Sequence, residues 1–151
     1  MHMRQEIIIQ KLAEIKHEQW YELWRAYQKF YQADIPEMVS QNTWDKLTRA
    51  DAPHIYGFAA IMDHQPVGIV HVIEHDSCWT VKPYAYLQDL YTHEEYRGQG
   101  VARQLIQHVY DYAVQRRQCD RVYWLTQQNN ENAQKLYDQV AQKTGFIQYR
   151  M

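Results

Sequence analysis

The spacing of apolar residues along the chain predicts a succession of short strands and helices. Short apolar runs bounded by turn residues predict strands, and apolar residues at three- and four-residue spacing predict helices. The strands are predicted at residues 5–10, 55–63, 66–75, 84–93, 121–127 and 146–150. The helices are predicted at residues 17–33, 36–49, 101–117 and 129–145. The resulting order, β-α-α-β-β-β-α-β-α-β, indicates a mixed α/β (α+β) domain with helices packed on both faces of one central sheet.

The length and composition of the chain are typical of one globular domain. Its 151 residues suffice for a core, and 46% of them are hydrophobic and 14% aromatic, which is unlike a disordered chain. We therefore expect residues 1–151 to form a single domain. No apolar run reaches the roughly 18 residues of a membrane span, and Cys78 and Cys119 have neither metal-ligand nor C-x-x-C spacing. We expect a cytoplasmic protein that needs no metal ion and does not contact a membrane.

The net charge of −2 conceals an uneven distribution. Residues 31–96 carry ten acidic and three basic residues, whereas residues 97–151 carry eight basic and four acidic residues. This division favours an anionic ligand at the basic part and a cationic ligand at the acidic part. An uneven but purely solvated surface explains the charges equally well. Because the chain is not basic overall, nucleic acid is a poor candidate partner.

Two glycines, one residue apart, precede the predicted helix at residues 101–117. Gly98 and Gly100 tolerate a positive φ and allow close approach to a bulky group. Free backbone N–H groups and the helix dipole at such a position favour an anion, most often a phosphate. The Gly-Lys-Ser/Thr of a Walker motif and the third glycine of a dinucleotide-binding fingerprint are both absent. From the glycines alone, a structural turn without a ligand is an equally good interpretation.

The residues around these glycines resemble a known signature. Residues 97–102, RGQGVA, resemble the R/Q-x-x-G-x-G/A motif of the GCN5-related N-acetyltransferase (GNAT) superfamily. Further along, NENAQKLYDQVAQKTGF resembles the family's N-x-x-A-x-x-L-Y…G-F segment. The matching residues there are Asn132, Ala133, Leu136, Tyr137, Gly145 and Phe146. With the predicted element order, the resemblance covers nearly the whole chain, and YLQDLY and VYWLT are most similar to the histone and polyamine acetyltransferase branch.

The resemblance implies acetyl-CoA as cosubstrate and a set of residues that bind it. In the family, the glycine turn holds the pyrophosphate, pantetheine pairs along the fourth strand, and an asparagine reaches the pantetheine amides. The implied cofactor-binding residues are Leu90, Tyr91, Thr92, Arg97, Gly98, Gln99, Gly100, Val101, Ala102, Asn132 and Tyr137. The resemblance also implies that Tyr137 donates a proton to the departing sulfur. Without the resemblance, Tyr137 is equally well explained as a core aromatic.

Transfer of an acetyl group to an amine also requires a group that removes a proton. Neutralising a lysine-like ammonium at pH 7 costs roughly 4–5 kcal/mol, so a carboxylate or a water held by one must take the proton. Polyamine-acetylating relatives carry Glu-Asp in the fourth strand, where this chain has Gln88 and Asp89. Asp89 is therefore the first candidate and Glu74 the second, and for either the alternative is a structural polar group at a sheet end.

Strand alternation predicts where these groups point. It puts Tyr84, Tyr86 and Gln88 on one face, with Leu87, Asp89 and Tyr91 on the other. A bulge near residues 89–90, which is common beside active sites, changes this assignment. His71 and His75 share one face of the preceding strand and are interpreted as structural or as lining the acceptor pocket, because their setting does not fit a zinc motif.

The sequence thus predicts an acetyl-CoA-dependent N-acetyltransferase that acts by direct attack in a ternary complex. The expected acceptor is a small-molecule or peptide amine with cationic character, such as a polyamine, a lysine side chain or an aminoglycoside. A non-catalytic acetyl-CoA-binding or regulatory domain is the alternative, since Gln88 cannot take a proton. We also expect a homodimer or a higher homo-oligomer, because the aromatics of the first helix suit either an interface or a core.

Overall fold

The computed structural model describes residues 5–151. Their strands form one five-stranded mixed sheet in the order β1-β2-β3-β4-β5, in which β1 to β4 are antiparallel and β5 is parallel to β4. The strands are β1 (Ile8–Lys11), β2 (Ile55–Met62), β3 (Gln65–His75), β4 (Tyr84–Thr92) and β5 (Arg121–Tyr123). The helices are α1 (His17–Phe30), α2 (Glu37–Thr48), α3 (Val101–Asp111) and α4 (Glu131–Val140).

The helices cover both faces of this sheet, as predicted. On one face, α1 and α2 bury a cluster that comprises Leu12, Trp20, Leu23, Trp24, Leu47, Ala59, Ile69 and Tyr91. On the other face, α3 packs on residues of β2, β3 and β4, among them Phe58, Val70, Val72 and Leu87. The partly buried side chains of α4, Leu136, Tyr137 and Val140, join this second cluster. The mixed α/β fold class predicted from the sequence is confirmed.

The aromatic stripe of α1 belongs mainly to the core. Trp20 and Trp24 are buried and stack with their ring centroids 5.7 Å apart. They lie against the sheet of their own protomer, so they are not available for a subunit interface. Of the two roles that the sequence left open, core and interface, these two side chains have the core role. Phe30 and Tyr31, at the end of the helix, stay exposed and face the cleft described below.

The parallel strand β5 separates from β4 after three residues. Only Tyr84, Ala85 and Tyr86 of β4 pair with β5, so the prediction of a strand through residue 127 is wrong beyond Tyr123. The rest of β4 therefore has an edge without a partner strand in the described part of the chain. The N–H of His93 donates to the Val67 carbonyl at 2.7 Å. Because main-chain groups alternate along a strand, those of Leu90 and Thr92 point to the open edge.

A β-bulge in β4 decides which side chains face α1. His71 pairs with Asp89, whereas the next residue of β3, Val72, pairs with Leu87, so Gln88 is the extra residue. Leu87 consequently packs in the α3 cluster, while Asp89 contacts Tyr27 of α1. The alternation that put Leu87 and Asp89 on one face is therefore wrong, and the bulge lies one residue earlier than residues 89–90.

The end of the chain differs from the prediction. Helix α4 ends at Val140 rather than at Gly145, and residues 141–151 contain neither helix nor strand. The strand predicted at residues 146–150 is therefore wrong. The short β5 offers little edge for a sixth strand, and Phe146, Ile147 and Tyr149 are largely exposed. None of the helices within residues 5–151 is long and apolar enough to cross a membrane.

Candidate active site

A cleft of about 630 Å³ opens where the edge of β4 separates from β5. Its walls come from the end of α1, the second half of β4, the glycine turn with the start of α3, and α4. The lining residues are Tyr27, Phe30, Tyr31, Leu90, Tyr91, Thr92, Tyr96, Arg97, Gly98, Gly100, Val101, Ala102, Arg103, Asn130, Asn132, Ala133, Leu136 and Tyr137. This set contains ten of the eleven residues that the sequence predicted to bind the cofactor; Gln99 is not among the lining residues.

The glycine turn is built for an anion at the start of α3. Gly98 has φ 78° and Gly100 has φ 87°, a left-handed conformation that other residues adopt only with strain. Gly100 is the N-cap residue of α3, so the first N–H groups of the helix face outward beside it. A Cβ at either glycine meets no atom within 4 Å. The backbone conformation therefore requires the glycines, and the space in front of them is free for a bulky group such as a pyrophosphate.

The open edge of β4 carries hydrogen-bonding groups that pair with no strand of residues 5–151. The main chain of Leu90 and Thr92 points to this edge, and the buried hydroxyl of Thr92 has no hydrogen-bond partner within residues 5–151. Arg97 crosses the same edge, because its Nε donates to the Thr92 carbonyl at 3.1 Å. Its guanidinium lies 5.3 Å from the ring centre of Phe30 and 5.6 Å from that of Tyr91. An extended amide-bearing chain such as pantetheine fits this edge once Arg97 moves from it.

Tyr137 lies on the opposite wall, on α4. Its ring packs edge-on against Trp124 with centroids 5.4 Å apart. Burial raises the pKa of Tyr137, so its hydroxyl keeps its proton at neutral pH and is able to donate it. Asn132 lies in the first turn of the same helix and lines the cleft. Asn132 and Tyr137 of the second motif thus line the same cleft as the glycine turn.

Asp89 lies behind the cleft wall and is held on both oxygens. Tyr27 Oη donates to Oδ1 at 3.0 Å, and His71 Nδ1 lies 3.0 Å from Oδ2. The far nitrogen of the same ring, His71 Nε2, accepts from the indole N–H of Trp20 at 3.0 Å. Asp89 itself is only 17% exposed at its side chain. The sequence did not predict a role in the site for Trp20 or Tyr27, which are among the aromatics of the first helix that were expected to form an interface or a core.

The Trp20 contact fixes the protonation of His71. An indole N–H can only donate, so His71 Nε2 must be the unprotonated nitrogen of a neutral imidazole. The proton is consequently on Nδ1, which donates to Asp89. A protonated imidazole has two N–H groups, and one of them then faces the Trp20 donor. Asp89 is thus a carboxylate between two neutral donors, and no Lys or Arg among residues 5–151 forms an ion pair with it.

Glu74, the second candidate for the base, lies elsewhere. Its carboxylate forms a double hydrogen bond with Arg117, from Nη2 to Oε1 at 2.9 Å and from Nε to Oε2 at 3.0 Å. Glu74 is 3% exposed at its side chain and lies on the α3 face of the sheet, opposite to Asp89. Glu74 does not line the cleft and is paired with a cation, and this placement favours the structural alternative for Glu74 over a catalytic role.

The histidines of β3 do not form a metal site. His71 belongs to the network just described, and His75 Nε2 lies 2.7 Å from the hydroxyl of Tyr123. Among residues 5–151, no three His, Cys, Asp or Glu side chains are grouped so as to hold a metal ion. Tyr123 also stacks on Tyr86, with ring centroids 5.1 Å apart. Burial, and after it the charge of Asp89, raise the pKa of Tyr86.

A mixed sheet whose parallel strand diverges, with a glycine turn at the divergence and a phenol across from it, defines an acyl-CoA-binding transferase fold. The chain belongs to the acetyltransferase (GNAT) family, whose model matches residues 9–141. The predictions of the superfamily and of an acyltransferase are confirmed. Enzymes of this family use acetyl-CoA and act on amine acceptors.

Named relatives lie in the same class. The chain is 32% identical over 146 residues to the D-amino-acid N-acetyltransferase HPA3 of Saccharomyces cerevisiae, covering 95% of this chain and 89% of that protein. It is 29% identical over 127 residues to a thialysine N-epsilon-acetyltransferase of Caenorhabditis elegans, covering 79% and 78%. Among solved structures, the aminoglycoside N-acetyltransferase AAC(6')-Iy in complex with CoA has the same fold, with a TM-score of 0.78 and 21% identity over 97% and 95% of the two chains.

Proposed function

We propose that this protein, as one domain, transfers the acetyl group of acetyl-CoA to a primary amine of a cationic acceptor by direct attack in a ternary complex. The observation that carries the proposal is the single cleft shared by the glycine turn, the open edge of β4 and the Tyr137 phenol, with Asp89 hydrogen-bonded to the cleft residue Tyr27. Polyamines, lysine side chains and aminoglycosides are acceptors of this kind.

On the cofactor side, the backbone from Gly98 to Ala102 holds the pyrophosphate, because its N–H groups and the dipole of α3 attract an anion. The main chain of Leu90 and Thr92, which points to the open edge of β4, holds the pantetheine amides. Asn132 approaches the same chain from α4. Arg97 and Arg103, which both line the cleft, add positive charge near the phosphates.

On the chemical side, Asp89 receives a proton from the amine, and Tyr137 donates one to the departing thiolate. Positioned acid–base groups of this kind each contribute about 10²–10⁴-fold in rate. Burial raises the pKa of Tyr137, so the phenol holds its proton until charge develops on the sulfur. Gln88, the bulge residue, has no acid–base role.

The charge of Asp89 supports a cationic acceptor. The carboxylate is bonded to His71 and Tyr27, both neutral, so its negative charge is available to an ammonium group. Tyr27 contacts the carboxylate directly, and its ring packs edge-on against Tyr31 with centroids 5.0 Å apart. Burial, and after it the charge of Asp89, raise the pKa of Tyr27, Tyr31 and Tyr86. Aromatic faces beside a carboxylate attract cations.

A free amino acid is a second candidate acceptor, because the yeast relative that matches 95% of this chain is named a D-amino-acid N-acetyltransferase. The worm relative, named for thialysine, favours an amine at the end of a side chain instead. L-Lysine and D-lysine both carry an α-amine and a side-chain amine. An enzyme for side-chain amines acetylates both compounds, whereas an enzyme for the α-amine of D-amino acids acetylates only D-lysine.

The test is a release assay for CoA thiol with acetyl-CoA and a panel of polyamines, lysine and thialysine, aminoglycosides and D-amino acids. We expect acetyl-CoA to raise the melting temperature of the wild-type protein and at least one cationic amine to release thiol. Gly100→Val should weaken acetyl-CoA binding while the protein still folds, because a β-branched residue is strained at φ 87°. Binding without turnover across the panel identifies a non-catalytic acetyl-CoA-binding domain, and the absence of thermal stabilisation at millimolar acetyl-CoA contradicts the proposal.

We also propose that the protein acts in the cytoplasm as a homodimer or higher homo-oligomer. Phe146, Ile147 and Tyr149 support an interface, because three large apolar side chains near one chain end are largely exposed. Both cysteines are free thiols, which suits a reducing compartment. Sedimentation analysis of the full chain and of a chain that ends at Thr144 tests the assembly, with the shorter chain expected to be monomeric.

A further inference from the structure

We propose that Tyr27 is a catalytic residue that accepts a proton from the acceptor amine while its own hydroxyl proton passes to Asp89. This inference rests on the proposed amine acetylation and adds the group that contacts the amine. Tyr27 is on α1, outside both sequence motifs of the family, and neither motif predicts this role.

The hydroxyl of Tyr27 lies between the Asp89 carboxylate and the cleft. Tyr27 lines the cleft, whereas Asp89 is not among the lining residues. Tyr27 Oη donates to Asp89 Oδ1 at 3.0 Å, which leaves the lone pairs of Oη for an N–H donor in the cleft. Tyr31 and Tyr137 line the same cleft as Tyr27, and the Tyr27 and Tyr31 rings meet edge to face with centroids 5.0 Å apart. The phenol of Tyr27 therefore shares the cleft with the proposed proton donor to sulfur, where the reacting amine must come.

The far side of Asp89 holds the carboxylate in place. His71 donates to Oδ2 and in turn accepts from Trp20, and both rings are buried. These two residues are positioning residues, since neither lines the cleft. With Oδ2 occupied, Oδ1 is the oxygen that receives a proton through Tyr27.

The proton balance closes without another reactant. An ammonium N–H in the cleft passes its proton to Tyr27 Oη as the Tyr27 O–H proton moves to Asp89 Oδ1. The products of this step are a neutral amine, a neutral phenol and a protonated Asp89. The amine lone pair then forms the C–N bond, the C–S bond breaks, and the thiolate takes the proton of Tyr137. The second amine proton leaves to solvent, which reprotonates Tyr137, and Asp89 releases its proton after the products depart.

Tyr27 keeps the proton that this relay requires. Burial and the neighbouring Asp89 charge both raise the pKa of Tyr27, so the residue is a phenol rather than a phenolate between turnovers. A phenol can donate and accept simultaneously, whereas a phenylalanine in its place can do neither.

The test compares Tyr27→Phe with Tyr21→Phe. Tyr21 is a matched control, because it lies on the same helix and its phenol donates to the carboxylate of Glu37 outside the cleft. On an amine acceptor of the wild-type protein, we expect Tyr27→Phe to lower kcat/KM about 10²-fold at neutral pH and Tyr21→Phe to leave it unchanged. The loss should shrink towards pH 10, where more of the acceptor is already neutral.

A double variant distinguishes a relay from a binding contact. If Tyr27 acts through Asp89, Asp89→Asn combined with Tyr27→Phe should be no slower than Asp89→Asn alone. The relay is contradicted if the activity losses of the two single variants multiply in the double variant, or if Tyr27→Phe changes KM alone. Wild-type turnover in Tyr27→Phe contradicts it as well. If Tyr27→Phe alone does not fold, the comparison of Asp89→Asn with the double variant remains. In both of these proteins residue 89 is a neutral amide, so the loss of the Tyr27 hydroxyl does not leave a buried carboxylate without a hydrogen-bond donor.

Two further readouts separate this inference from the proposed function. Calorimetric affinity for acetyl-CoA and the melting temperature should be nearly unchanged in Tyr27→Phe, since the proposed cofactor contacts lie on β4, the glycine turn, α3 and α4 rather than on α1. A wild-type protein that acetylates no amine contradicts the proposed function. A wild-type protein that does so, with an unaltered pH profile in Tyr27→Phe, contradicts only the relay.

Discussion

Two carboxylates on neighbouring strands, Asp89 on β4 and Glu74 on β3, occupy opposite faces of the same sheet with different kinds of partner. Both are largely buried and both accept hydrogen bonds at about 3 Å. Asp89 is bonded to a neutral imidazole and a phenol, whereas Glu74 is paired with the guanidinium of Arg117. Only Asp89 therefore keeps an uncompensated negative charge, and only Asp89 is one hydroxyl from the cleft.

The difference shows that burial alone does not identify a catalytic carboxylate. A carboxylate bound by a cation is stabilised as an anion, so it is a poor proton acceptor, and removal of the cation alone destabilises the fold. A carboxylate bound by neutral donors is oriented equally well but remains free to attract an ammonium group and to take its proton. The partners, rather than the depth, are therefore the reason why we propose Asp89 for the chemistry and Glu74 for the structure of the α3 face.

The largest expected effect is that of Asp89→Asn on turnover. The amide can keep both contacts, since its oxygen can accept from His71 and its NH₂ can donate to a reoriented Tyr27 hydroxyl, so the variant should fold. Removal of the proton acceptor should lower kcat/KM by about 10²–10⁴-fold at neutral pH, with partial recovery at high pH. Glu74→Gln, the matched change on the other face, should retain the specific activity of the folded protein. Equal losses in both variants abolish the distinction between the two carboxylates.

The second expected effect is on stability, and here the larger change is expected on the Glu74 face rather than on the Asp89 face. Arg117→Met leaves the Glu74 carboxylate, 3% exposed, as a buried charge without its cation. The free energy of unfolding should fall by about 3 kcal/mol, the lower end for a broken buried pair. Glu74→Gln should cost less, because the Arg117 side chain is 30% exposed and reaches water. Chemical denaturation of both variants measures this, and an equal loss in the two contradicts the assignment.

Much of the site is predictable from local sequence, because its signals are short. The glycines at 98 and 100, Asn132 and Tyr137 each lie within a contiguous motif, and the strand and helix that flank the turn follow from hydrophobic spacing. These local signals identify the cofactor wall of the cleft. They also gave the family, because the two motifs and the element order agree.

The network of Trp20, His71, Asp89 and Tyr27, on the side proposed to receive the acceptor, was less predictable, because it depends on contacts between distant parts of the chain. Trp20 and His71 are 51 residues apart in sequence, and His71 and Asp89 are 18 apart. The position of the bulge at Gln88 decided the face of Asp89, and no residue type in β4 specifies it. A histidine at an inward position of an otherwise apolar strand was the one available signal for the network.

The third effect is that of Tyr137→Phe, which tests the second phenol of the cleft. The variant keeps the ring that packs on Trp124, so the melting temperature and acetyl-CoA affinity should change little. Loss of the proton donor to sulfur should lower kcat by about 10²-fold. Tyr110→Phe, at an exposed position of α3, is the matched control and should be neutral. A large drop in melting temperature with normal turnover makes Tyr137 a core residue.

The smallest effect is a pH dependence on the Glu74 face, where His108 of α3 packs edge-on against Phe58 with ring centroids 4.5 Å apart. Burial lowers the pKa of His108; Asp111 opposes this shift, and Arg116 adds to it. The folded state therefore prefers the neutral ring, whereas the unfolded chain takes up a proton near pH 6.5.

The stability that His108 contributes is consequently complete above about pH 6.5 and is lost as the pH falls from there to the lowered pKa of the folded state. Below that lowered value no further loss arises from this residue. His108→Gln cannot titrate, so its free energy of unfolding should fall less than that of the wild-type protein between pH 7.5 and pH 5. The carboxylates titrate in both proteins, and the difference between the two denaturation series isolates His108. Parallel curves over this range mean that the ring is protonated as readily in the folded protein as in the unfolded chain.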